Sequence, residues 1–198
     1  MGGENNDMID KISFFHIPKC AGQSLSKALS GRQFRHKNIK DKYWDKFRSD
    51  FFVTFVRHPL ERLVSLHSWL RTLKDHPGRC GGSEMMMAFG VMARSFDCDE
   101  FWKNLDWISA DIVNPFFRPI TYFTDSLNHF DFVGRVESLE EDVKKLEDVC
   151  GKKFIIFKKN QSNHRSWRDE FSGETLKRLM KRYGGDFDLC GYEKPDII

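Results

Sequence analysis

A chain of 198 residues with 40% apolar content and 19 Phe can bury one sizeable core, which excludes a globally disordered protein. Its 32 Lys and Arg against 29 Asp and Glu leave a net charge of +3, too mild for nucleic-acid binding to be read from charge. No run reaches the roughly 18 apolar residues of a membrane span, and the polar start Met1-Gly2-Gly3-Glu4-Asn5-Asn6-Asp7 lacks a signal-peptide pattern. A soluble chain is expected, with residues 1–10 as a disordered N-terminus and residues 11–198 as a single domain. The 5 cysteines (Cys20, Cys80, Cys98, Cys150, Cys190) form an odd set without C-x-x-C spacing, which predicts reduced thiols in a cytoplasm and no zinc site.

The first predicted element is a strand over 12–17. It ends in Pro18-Lys19-Cys20-Ala21-Gly22, after which Gln23-Ser24-Leu25 leads into a helix over 24–29. N–H groups at a helix start have no intrahelical partner, small residues let an anion approach the main chain, and Lys19 adds a full charge. The turn therefore suits a phosphate-like or sulfate-like group. The nucleotide-triphosphate loop reads G-x-x-x-x-G-K-[ST], but here Lys19 precedes Gly22 and no G-K-[ST] occurs in the chain. Taken alone, the segment also reads as a Pro-containing turn with a solvated lysine. A basic cluster follows it (Arg32, Arg35, His36, Lys37, Lys40, Lys42), suited to an acidic glycan; the other basic runs read as solvated faces.

A second strand is predicted over 51–56, then an abrupt Arg57-His58-Pro59 and a helix from about 60 to 73. Pro59 suits the first helical turn, so Arg57 falls at the strand's C-terminal edge. Ser65 lies about two turns further on, on the side of Glu61 and Arg62. An arginine fork and a serine hydroxyl make a second anion site, and two such sites predict a ligand with two separated anionic ends.

Further along, 75–83 is a break rich in turn formers, and 84–93 and 99–105 read as helices. The Met85-Met86-Met87 run reads as helix core, with a lid over an acceptor as the alternative. Pro115 and Pro119 stiffen the 114–119 segment, which reads either as a structural turn or as a loop whose Arg118 contacts an anionic acceptor. A strand over 131–136, a helix over 139–149 closed by Gly151 and a short strand over 154–157 come next. The last helix starts at Ser172-Gly173-Glu174-Thr175 and is expected to end near Tyr183-Gly184-Gly185. This alternation predicts an α/β protein, a parallel sheet flanked by helices with ligands at the strands' C-terminal ends.

The motifs resemble those of the 3′-phosphoadenosine 5′-phosphosulfate (PAPS)-dependent sulfotransferases, above all the branch that sulfates carbohydrates. His16-Ile17-Pro18-Lys19-Cys20-Ala21-Gly22-Gln23-Ser24 looks like the family's H-I-P-K-T-G-G-T-S loop for the 5′-phosphosulfate. Phe55-Val56-Arg57-His58-Pro59 through Arg62 and Ser65 looks like its F-V-R-[DHN]-P-x-x-R-x-x-S element for the 3′-phosphate. Asp131-Phe132-Val133-Gly134-Arg135-Val136-Glu137 is similar to its "dfvGryE" strand. Asn160-Gln161-Ser162-Asn163-His164, with Asp186-Phe187 and Gly191-Tyr192, is similar to its C-terminal N-x-S-x-H loop and closing D-F-x-x-x-G-Y. Each motif alone is weak; their order along nearly the whole chain is specific.

The resemblance implies a P-loop-NTPase-like sulfotransferase fold, PAPS as donor, adenosine 3′,5′-bisphosphate as product, and a carbohydrate or other hydroxyl acceptor, anionic ones included, with no metal. It places Lys19 at the bridging oxygen as a catalytic residue and Lys19, Cys20, Ala21, Gly22, Gln23 and Ser24 around the 5′-phosphosulfate. Arg57 and Ser65 go to the 3′-phosphate, and Asn160, Ser162 and Arg165 to a donor-covering loop. His36 is the candidate general base, with His58 as second choice; His16 is expected to end the first strand and pack, and His164 to be structural. Cys20, Ala21 and Gln23 depart from the common Thr, Gly and Thr of the loop, and Val136 from a common tyrosine. Two other readings stay open: a small-molecule kinase, and a catalytically inactive module binding adenosine bisphosphate or a polyanion. Many relatives are Golgi proteins, so a trimmed luminal domain is the alternative to a cytoplasmic enzyme.

Overall fold

In the computed structural model of the chain, residues 11–29, 32–35, 39, 50–75, 83–106, 114–156 and 164–197 are described. They form two compact units, the first built from Met1–Arg57 and Phe123–Lys159, the second from His58–Tyr122 and Asn160–Ile198.

The first unit holds a four-stranded sheet of β1 (Ile12–His16), β2 (Arg32–Arg35), β3 (Phe51–Val56) and β4 (Phe132–Arg135), in the order β2-β1-β3-β4. Every pairing is parallel, with Phe14 opposite Val53 and Val53 opposite Phe132. Aromatic and β-branched residues favour the extended chain, and the two central strands are apolar toward both faces, as a doubly covered parallel sheet requires. On one face Phe14, Val53 and Phe55 pack with Leu25 of the short helix α1 (Gly22–Ala28) and Leu29 at its C-cap, and with Val143, Leu146 and Cys150 of a later helix at Leu139–Cys150. Burying each large side chain contributes about 1.5–3 kcal/mol. The buried hydroxyls of the central strands are satisfied: that of Ser13 donates to Asp50 Oδ2 at 2.5 Å, and that of Thr54 to the Phe15 carbonyl at 2.9 Å.

In the second unit, α2 (Pro59–Arg71) runs into a 3-10 turn, Thr72–Lys74, and is followed by α3 (Glu84–Ser95) and α4 (Cys98–Asn104). A 3-10 turn at Pro115–Phe117 and the short α5 (Ile120–Phe123) carry the chain back to the first unit, where Leu139–Cys150 is α6. The second unit ends with α7 (Trp167–Glu170) and α8 (Gly173–Cys190). Its core joins Leu63, Leu66 and Leu70 of α2 to Met86 and Phe89 of α3, Phe101 and Trp102 of α4, and Leu179, Tyr183 and Phe187 of α8. Met86 is fully buried and Met87 packs against this core, while Met85 is exposed, so the methionine run is helix core at its centre.

Three sequence expectations need correction. The last helix does not end at Gly184-Gly185 but continues to Cys190. Two glycines cost about 2 kcal/mol together, which the burial of Tyr183, Phe187 and Cys190 on one stripe exceeds. Residues 154–156 form no strand, because the Phe154 N–H donates to Glu147 Oε1 at 2.7 Å instead of to a neighbouring strand. β2 went unpredicted, since Arg-Gln-Phe-Arg carries no apolar run; it is an edge strand, held also by the Gln33 amide on the Ser26 carbonyl.

Candidate functional site

In the parallel sheet β1 and β3 are neighbours, so His16 and Val56 end side by side at the C-terminal edge, with strands roughly 5 Å apart. The loop from Ile17 to Ala21 leaves from one of these ends and Arg57 from the other. Lys19, Cys20, Ala21, Gly22, Gln23 and Ser24 thus share one loop-to-helix turn, and Arg57, half-buried, lies at the same edge of the same unit.

The turn is tight. Cys20 N–H donates to the Ile17 carbonyl at 3.3 Å, and the N–H groups of Ser24 and Leu25 both reach the Ala21 carbonyl, at 3.0 and 3.1 Å. Two residues other than glycine have left-handed backbone, Lys19 at φ 66° and Ala21 at φ 54°. Such conformations cost of order 1–3 kcal/mol each and cluster where a loop is held for a ligand. Ala21 is the N-cap of α1 without a side-chain cap, and neither its N–H nor that of Gly22 meets an acceptor among the described residues. The half-buried Lys19 stands beside these two donors.

His16 explains why residue 22 is glycine. A β-carbon at Gly22 would lie 1.7 Å from Nε2 of His16, so the imidazole rests on the bare Cα. The ring is stacked on Phe14 with centroids 5.9 Å apart, which fixes it as the stop at the end of β1. Gly134 on β4 plays the same part for Phe55, whose ring would meet a β-carbon there at 2.3 Å. The sequence signalled the glycines, but not the rings that need them.

The loop side chains differ in what they present. The Cys20 thiol is buried and donates to the Pro18 carbonyl at 3.7 Å, Ser24 is buried, and Gln23 is exposed. In the same unit, Asp142 joins β4 to α6 by accepting from the Arg135 N–H and the Ser138 hydroxyl, both at 2.8 Å, and from Lys145 at 2.7 Å. Burial alone would raise its carboxyl, but these three donors hold it below its ordinary value near 3.8.

The second unit holds the remaining assigned residues that the structure describes. Ser65 lies buried on α2, and Arg165 is exposed ahead of α7. His58 starts α2: its Nδ1 accepts from the Glu61 N–H at 3.5 Å, and its ring stacks on Trp167 at 5.5 Å and meets Phe187 and Tyr192 edge-on. The backbone of the 114–121 stretch is pinned from inside the unit. Buried Arg62 donates to the carbonyls of Phe116 and Arg118, Tyr183 to that of Phe117 at 2.6 Å, and Asp186 accepts from the Ile120 and Thr121 N–H groups at 2.7 and 2.9 Å. Burial pushes the Asp186 carboxyl up, against the pull of Arg62 and those two N–H groups. Arg118 lies over the Tyr122 ring, 4.0 Å from its centre. His36, Asn160 and Ser162 lie outside the described residues, as do residues 1–10.

A parallel α/β sheet with a strained, lysine-bearing turn at its C-terminal edge defines the class of fold: a P-loop-like α/β protein. The model of the sulfotransferase family matches residues 7–193, and the chain belongs to that family. Enzymes of this family transfer a sulfuryl group to an acceptor hydroxyl. Neither the curated proteins nor the solved structures give a match. Among the described residues no helix is long and apolar enough to cross a membrane.

Proposed function

We propose that the chain is a single catalytic domain from residue 11 onward that moves the sulfuryl group of PAPS to a hydroxyl of a carbohydrate acceptor. The observation that carries this reading is the turn at the end of β1, where Lys19 and Ala21 are held left-handed and the N–H groups of Ala21 and Gly22 meet no acceptor among the described residues. Donors fixed in this way cost no reorganisation when charge develops.

PAPS supplies the sulfuryl group and a phosphate leaving group. The acceptor oxygen forms a bond to sulfur as the bond from sulfur to the 5′-phosphate oxygen breaks in line, and the hydroxyl proton passes to His36. Lys19 faces the departing oxygen and, with the loop N–H groups of Ala21 and Gly22, stabilises the growing negative charge. Arg57 and Ser65 hold the 3′-phosphate, Arg57 by its planar fork, which fixes the register of the donor and discriminates against nucleotides that lack this group. Asn160, Ser162 and Arg165 serve the donor from the C-terminal loop. Cys20 turns its buried thiol to the Pro18 carbonyl and so lines the loop without a hydroxyl, and Gln23 brings an exposed side chain where the common motif has a hydroxyl.

Incubation of the protein with PAPS and a panel of glycans, with and without a chelator, tests the reading. Chelator-resistant formation of adenosine 3′,5′-bisphosphate that needs an acceptor supports it. Turnover of ATP that needs magnesium, or donor binding without turnover on any acceptor, contradicts it.

A further inference from the structure

Within the second unit, one carboxylate on α2 is engaged from 105 residues away. Glu61 Oε1 accepts from the Ser166 hydroxyl at 3.3 Å and from the Trp167 N–H at 3.2 Å, and its Oε2 lies 3.7 Å from His164 Nδ1. The same Nδ1 is 2.9 Å from the Arg165 carbonyl, which can only accept, so the ring proton sits on Nδ1. One residue before Pro59, His58 adds its ring to the clamp by stacking on Trp167, with an interplanar angle of 9°. Residues 166 and 167 are thus tied to the first turn of α2, and His164 lies beside it. The residue between them, Arg165, is exposed, and its guanidinium makes no ion pair among the described residues. An exposed cation whose next two residues are anchored is placed for an anion, rather than spent on the fold.

We propose that Glu61 is a positioning residue that sets Arg165 for a phosphate of the nucleotide donor; this rests on the function proposed above. Glu61 makes no contact with the donor. It anchors the chain directly after Arg165, so the arginine pays less conformational entropy when it binds. Because Glu61 also sits four residues before Ser65 on α2, the helix that carries the proposed 3′-phosphate serine carries the anchor of Arg165 as well.

The test is a double-mutant cycle read by calorimetric titration with adenosine 3′,5′-bisphosphate, with thermal unfolding of each variant alongside. Glu61→Ala and Arg165→Ala should each weaken binding about fivefold to tenfold, the worth of one charge-assisted contact. Glu61→Gln should restore most of the affinity, since an amide oxygen still accepts from Ser166 and Trp167. In the Arg165→Ala background, Glu61→Ala should cost nothing further. Should Glu61→Ala fail to fold, Glu61→Ser gives the same comparison. Additive losses, or unchanged binding in either single variant, would overturn the role of Glu61 while leaving the donor site standing. A wild-type protein that binds no bisphosphate would overturn both.

Discussion

The imidazole of His16 and the Cα of Gly22 share a contact that leaves no room for a side chain: a β-carbon on Gly22 would stand 1.7 Å from Nε2 and 1.9 Å from Cδ2 of the ring. His16 is the last residue of β1 and Gly22 the first of α1, so this contact sets the width of the loop between them. The loop's N–H groups and Lys19 take their places from it.

Gly22→Ala should therefore destabilise the protein by about 1–3 kcal/mol, the usual cost of overpacking, and abolish binding of adenosine 3′,5′-bisphosphate. His16→Ala should make Gly22→Ala tolerable by removing the ring that it meets. Urea unfolding of the two single variants and the double variant checks this. A Gly22→Ala penalty of equal size with and without His16 would refute the contact.

Ala21 holds a left-handed backbone at φ 54° without glycine's freedom. Ala21→Gly should raise stability by about 1 kcal/mol, reduced somewhat by the greater freedom of glycine in the unfolded chain. For a chain of this size, a rise of roughly 2–4 °C in thermal midpoint corresponds. A lower midpoint would mean that the loop is not held in this conformation.

Lys19 combines the same strain with the charge assigned to the leaving oxygen. Lys19→Gly should fold at least as stably as wild type while its turnover falls about 100- to 1,000-fold, as when one donor to a developing anion is lost. Opposite movement of stability and turnover separates a functional lysine from a structural one. Equal turnover in the two proteins would remove Lys19 from the mechanism.

Asp142 provides a pH signature. Its carboxyl titrates below the ordinary value near 3.8, so its contribution to stability is present above that value and is lost as pH falls through the lower folded value. Asp142→Asn should be less stable than wild type by about 1–3 kcal/mol at neutral pH, because the Arg135 N–H and Ser138 hydroxyl lose a charged acceptor. The gap should narrow as pH drops below about 4. Urea midpoints of both proteins from pH 7 to 3 measure it; Asp186, shifted the other way, is common to both and cancels.

Much of the architecture was legible because local signals and burial agree. The run Phe51–Val56 followed by Pro59 at the first turn of α2 marks a strand and a helix start, and each lies where the pattern places it. Gly151 closes α6 as expected. What escaped depends on partners distant in sequence. β2 is polar and exists because β1 offers it an edge. α8 crosses Gly184-Gly185 because Phe187 and Cys190 have a core to enter. Of the candidate site, the order of motifs picks out Lys19, Arg57 and Ser65 as proposed donor contacts, but no pattern marks Ala21 as left-handed, His16 as the stop for Gly22, or Glu61 as the anchor of a segment 105 residues away.

The most direct measurement is calorimetric titration of the purified protein with adenosine 3′,5′-bisphosphate, with AMP and ATP–magnesium as controls and Arg57→Ala alongside. The account predicts selective binding of the bisphosphate that is lost in Arg57→Ala. Preference for ATP–magnesium, or bisphosphate binding that survives in Arg57→Ala, would contradict it.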